Sequence, residues 1–172
     1  MKFSSPAFFI ASFLIQFACS TREEIYTPCL QANITSSNGY TGTAFGYVIV
    51  CFDQDTSETS GELMMRVEGL TPNITDGGVH IYSGMGCGSS EEQGGHWWNA
   101  ATSTDPWFEN PAPGTRYEAD TYGVGSTQFN FDNGFFLDVT EGKPIVIHES
   151  HTLGYGRIAC GILEKVQGYI EN

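Results

Sequence analysis

The chain has 172 residues, with 20 acidic residues against 7 Lys and Arg, a net charge of −13, 40% hydrophobic residues and 21 glycines. The length fits one domain with room for a sizeable core, and the glycines point to many turns. A chain this acidic lacks the basic surface that nucleic-acid binding needs, and it would steer an anionic substrate poorly without a local basic group.

Residues 1–20 read as a secretory signal peptide. Lys2 is the early positive charge, an apolar run follows from Ala7 to Ala18, and small residues come next at Ala18, Cys19 and Ser20. The run is shorter than the roughly 20 residues a membrane span requires. Cleavage is expected near Ser20, leaving residues 21–172 as one mature domain with no transmembrane anchor. Loss of Lys2 sets twenty acids against six bases, a net −14.

Two further features agree with export to the extracellular space. Asn33-Ile34-Thr35 and Asn73-Ile74-Thr75 are N-glycosylation acceptors. Removing Cys19 leaves Cys29, Cys51, Cys87 and Cys160, an even number that implies two disulfides with three possible pairings.

Strands are expected over 43–52, 62–67, 79–82, 128–131, 135–139, 145–148 and 157–163. Asp132-Asn133-Gly134 serves as the hairpin turn between the fourth and fifth of these. Short strands with glycine-rich turns indicate a sandwich or barrel. The longest irregular stretch, 83–117, holds all three tryptophans, Trp97, Trp98 and Trp107. A loop of that length is usually functional, and three tryptophans argue against disorder.

The histidines are His80, His96, His148 and His151. His80 and His148 lie in expected strands, and period 2 puts His80 and Tyr82 on one face. Imidazoles grouped near glycine-rich turns suit copper or zinc.

At this point the residues resemble a family. Gly78-Val79-His80-Ile81-Tyr82 looks like the copper-binding strand of the copper/zinc superoxide dismutases, and Glu68-Gly69-Leu70-Thr71-Pro72 resembles its lead-in. Gly86-Cys87 and Gly94-Gly95-His96-Trp97-Trp98-Asn99 are similar to the cysteine loop and the bridging-histidine segment. Residues 144–149 resemble the strand bearing the last copper histidine, and Gly156-Arg157-Ile158-Ala159-Cys160-Gly161-Ile162 resembles the end of the fold.

The resemblance implies an all-β fold, a flattened eight-stranded Greek-key barrel. It implies a Cys87–Cys160 disulfide, which leaves Cys29 with Cys51. His80, His96 and His148 become copper ligands, and Arg157 becomes the cation that attracts superoxide.

The pattern also departs from the family. Tyr82 stands where a further copper histidine is expected, and a phenol with a pKa near 10 is a doubtful ligand at neutral pH. No histidine occurs between Trp97 and Ile147, so a zinc site is not expected from the carboxylates there, Asp105, Glu109, Glu118 and Asp120. The short stretch from Glu149 to Arg157 is similar to the copper-only branch, and His151 is a surface residue or a substitute ligand. Two functions follow: a secreted copper-dependent dismutase, or a non-catalytic extracellular metal-binding or matrix protein on the same scaffold.

Overall fold

A computed structural model describes residues 29–52, 59–108 and 113–166. The expected signal peptide and its cleavage point lie outside the described residues. Nine strands are described: β1 (Cys29–Ser36), β2 (Phe45–Phe52), β3 (Ser60–Glu68), β4 (Gly77–Ile81), β5 (Arg116–Ala119), β6 (Gly125–Asp132), β7 (Pro144–Ser150), β8 (Arg157–Ile162) and β9 (Glu164–Lys165).

Neighbouring strands run β2-β3-β6-β5-β4-β7-β8-β1, and β1 pairs again with β2. Eight antiparallel strands therefore close on themselves. The chain skips two positions between β3 and β4, and again between β6 and β7, which is Greek-key connectivity. β9 adds a two-residue pairing to β1.

Alternation sets the two faces of the ring. In β1, Leu30, Ala32 and Ile34 point inward while Asn33 and Thr35 are exposed; in β3, Leu63, Met65 and Val67 point inward. Burying one such aliphatic side chain stabilises by about 1.5–3 kcal/mol before chain entropy is counted.

β4 and β7 break the rule, because both of their faces are covered. Val79, Ile81, Ile145 and Ile147 enter the barrel core. Val146, Cys160 and Tyr82 form a second apolar cluster on the outer side, packed against Cys87. The covering element is the long β4–β5 connection, and β4 and β7 carry His80 and His148.

Both expected disulfides are present. Cys29 and Cys51 are direct partners in the β1–β2 register, with Cα atoms 4.1 Å apart. Cys87–Cys160 ties the long connection to β8.

Several expectations need correction. Residues 135–139 do not form a strand; a four-residue helix occupies Leu137–Thr140. Asp132-Asn133-Gly134 turns the chain toward the tryptophan loop instead of into a hairpin. Asn99 N–H donates to the Asn133 carbonyl at 2.8 Å, and Phe135 stacks on Trp97 with ring centroids 4.0 Å apart. Gly134 has φ +71, and a side chain there would meet Thr102 Oγ1 at 2.5 Å. The pairing partners of β6 are β3 and β5, so 135–139 has no sheet edge to join.

β1 and β5 were not expected. β1 shows its outward face as Gln31, Asn33 and Thr35, and β5 has only four residues. The 83–117 stretch is also more structured than expected. It contains a helical turn at Ser90–Gln93 and a 3-10 turn at Pro113–Thr115, and β5 begins at Arg116. Trp107 is fully buried, and its indole N–H donates to the Trp97 carbonyl at 2.9 Å. The loop is therefore packed onto the barrel.

Candidate metal centre

Register explains how the histidines meet. His80 is the partner of Val146, so His80, Tyr82, Val146 and His148 share the outer face of β4 and β7. The long connection lays His96 over them through a bridge between Tyr82 and His96. The His80 ring centroid lies 5.0 Å from those of both His96 and His148. The Tyr82 ring lies 5.2 Å from His96 and 5.8 Å from His148. His80 is 0% and His148 4% exposed.

Each imidazole has one nitrogen held by a protein group. His96 Nδ1 is 2.9 Å from Asp105 Oδ2. His148 Nδ1 is 3.2 Å from the Tyr155 carbonyl oxygen. His80 Nε2 faces the hydroxyls of Tyr155 at 3.3 Å and Thr115 at 3.5 Å. A carboxylate or carbonyl can only accept, so Nδ1 of His96 and of His148 carries the proton. In the neutral rings Nε2 then carries a lone pair. On His148 that lone pair accepts the Tyr82 hydroxyl at 3.0 Å.

Burial keeps the His80 and His148 rings neutral. Burial, and then the charges of His148, His96 and His151, hold His80 well below the usual imidazole range. Burial is also the main cause that lowers His148 to about 4, with Arg157 adding to it and the Tyr155 carbonyl opposing. Burial raises Tyr82, and Arg157 partly offsets this. Neutral imidazole is the form that binds a metal.

Arg157 sits against Tyr82, with its guanidinium carbon 4.4 Å from the ring centroid. It donates to the Ser90 carbonyl, Gln93 Oε1 and the Gly94 carbonyl, each at 3.0 Å. A different cation faces the opening. A cavity of about 580 Å³ is lined by His80, His96, Trp107, Tyr155, Arg116 and Asp76, among others. His151 is exposed and stacks on Tyr155 at 4.2 Å.

The structure thus brings together His80, Tyr82, His96, His148 and Arg157. Asn33 and Asn73 are exposed elsewhere, on β1 and in the turn before β4. Of the loop carboxylates, Asp105 reaches His96, Asp120 caps the turn at Tyr122 and Val124, Glu118 is exposed, and Glu109 lies outside the described residues. Sequence reasoning missed Tyr155 and Arg116. The pair of glycines around Tyr155 and the scarcity of basic residues were the available signals.

The donor set fits copper, for which imidazole is a suitable ligand. A second partner on each ring is also the usual arrangement for metal-binding histidine. A ready cage is not formed: among the described residues, no group of three or more His, Cys, Asp or Glu is placed to hold a metal ion.

The closed eight-stranded ring with this connectivity is the Greek-key barrel of the superoxide dismutase type. Among solved structures, the chain is similar to a point mutant of superoxide dismutase 5 from Candida albicans, at 14% identity and a TM-score of 0.55. The match covers 85% of this chain and 97% of that one. At that identity the likeness shows the fold. No protein-family model and no curated protein matches the chain.

Proposed function

We propose that the protein is a secreted, superoxide dismutase-like copper protein that works without zinc. One observation carries the reading: the His80 ring lies 5.0 Å from those of both His96 and His148, and Asp105 and the Tyr155 carbonyl each hold Nδ1 of one of those two, so that Nε2 carries the lone pair. His80, His96 and His148 would hold the copper. Bound copper would supply the redox chemistry, taking an electron from one superoxide and giving one to the next. Asp105 and the Tyr155 carbonyl keep the two rings in their binding tautomers.

The protein's own residues also shape the approach of the anion. Arg116 puts a guanidinium on the cavity wall beside His80 and His96, against the acidic background of the chain. Arg157 holds the 90–94 segment over Tyr82. The lack of histidine between Trp97 and Ile147 supports a site without zinc. Two disulfides suit an oxidising, extracellular setting. No helix among the described residues is long and apolar enough to cross a membrane.

A second reading, a non-catalytic extracellular metal-binding or matrix protein, is favoured by the Tyr82–His148 hydrogen bond alone. Calorimetric titration with copper, followed by pulse-radiolysis rates, separates the two. The dismutase reading expects tight binding and turnover above that of an equal amount of free copper. Binding without that excess supports the second reading, and no copper binding removes the copper version of both.

A further inference from the structure

Two aromatic side chains stand in the open on the outer face of β2, Phe45 at 52% and Tyr47 at 41% exposure. Gly46 between them has φ +153, and a side chain there would meet the Arg66 carbonyl oxygen at 2.2 Å. The glycine lets β2 lie close to β3 while its neighbours project outward. The core does not need either aromatic, and exposed apolar groups placed together usually meet a partner.

The neighbouring strand sets a glycosylation triplet beside the two aromatics. In the β1–β2 register Asn33 is directly opposite Tyr47, and Thr35 is opposite Phe45. Directly opposed residues of an antiparallel pair point to the same side and touch. Asn33 and Thr35 are exposed, while Ile34 between them is buried in the core. The glycosylation triplet and the aromatic pair therefore make one patch. On the far side, Arg66 and Glu68 lie opposite Tyr47 and Phe45 and give it a polar rim.

We infer that Asn33 carries an N-linked glycan whose first sugar packs on Tyr47 and is flanked by Phe45. In its attachment, Asn33 Nδ2 attacks the anomeric carbon of a lipid-pyrophosphate-linked oligosaccharide. The new C–N bond replaces the bond from that carbon to the pyrophosphate oxygen, the lipid pyrophosphate leaves with the bonding electrons, and the amide loses one proton. Asn33 Oδ1 is untouched, so its bond from Gln31 Nε2 at 3.3 Å is retained. The C–H face of the sugar ring covers the phenol, and its hydroxyls turn to Arg66 and water. Asn73 differs: it is a left-handed turn residue, φ +61, outside any strand register.

The inference rests on secretion, so the full chain is expressed in eukaryotic cells twice, with its own leader and with a heterologous one. Protein is taken from the medium and its N-glycans are released enzymatically in half the sample. Peptide mass spectrometry is expected to find Asn33 occupied. Release should lower the melting midpoint by about 2–4 °C, and by less than half as much in a Phe45→Ser, Tyr47→Ser variant. Asn33→Gln should reproduce the lower midpoint, and Asn73→Gln should not. Unmodified Asn33 in exported protein, or an equal drop with and without the aromatic pair, would overturn the inference. Export only with the heterologous leader would count against the chain's own signal and leave the glycan result to stand by itself.

Discussion

Arg157 and Arg116 flank the same imidazoles and are used differently. Arg157 spends its guanidinium on three protein acceptors in the 90–94 segment and covers the Tyr82 ring. Arg116 lines the cavity that reaches His80 and His96. The first is the arginine that sequence resemblance marks as functional, and the second carries no motif. A cation can keep its place in a motif while its main work is to hold a loop, and the cation that lines the cavity comes from another strand.

The largest expected effect tests whether the open side is built on firm packing. Trp107 is fully buried, lines the cavity and bonds to the Trp97 carbonyl. Trp107→Ala should lower stability by about 3–5 kcal/mol in urea unfolding. A loss under 1 kcal/mol would mean that the cavity wall is already loose.

Acid comes next and acts on the closed side. His148 falls to about 4 in the folded chain from an ordinary 6.5, so the unfolded chain binds more protons between those values. Stability should be full above about pH 6.5 and decline as pH drops toward 4, by roughly 3 kcal/mol from this group. His80 shifts in the same direction and adds to the slope. Melting of metal-free protein across pH 4–7 checks this, and a flat profile would contradict the burial of these rings.

Exchanging the two arginines sharpens the contrast itself. Arg157→Ala should cost about 1.5–3 kcal/mol, since it removes charge-assisted hydrogen bonds. Arg116→Ala should weaken the salt dependence of superoxide turnover more than Arg157→Ala does. The reverse kinetic order would erase the distinction.

The smallest effect concerns Tyr82. Tyr82→Phe removes one buried hydrogen bond, worth about 1 kcal/mol, and leaves His148 Nε2 without its hydroxyl partner. Copper affinity should rise, and Tyr82→His should raise it further. Unchanged titrations in both variants would show that Tyr82 does not limit the site.

Much of the barrel was legible because a strand writes its two faces in alternate residues. The same period placed His80 and Tyr82 side by side, and the cysteine motifs resembled a family whose pairing the fold carries. Residues 135–139 misled because an apolar, aromatic run looks like a strand whether it pairs with a sheet or, as Phe135 does, with a tryptophan. Asp105, Tyr155 and Arg116 were hard to read for another reason. They come from loops or a four-residue strand, where no period ties a residue to a direction. Their roles depend on which segment the long connection crosses.

The two-residue β9 has a consequence for how this molecule meets others. An unpaired strand edge invites a foreign strand to dock and extend the sheet. Ring closure removes that invitation from eight strands, and the sheet order ends on Glu164 and Lys165, both exposed and charged. Lys165 is further engaged by Asp138 and Glu141 at 2.9 and 3.0 Å. Among the described strands, fibril-like stacking and strand donation have little to hold, so a concentrated solution of this protein should associate, if at all, through its side-chain faces.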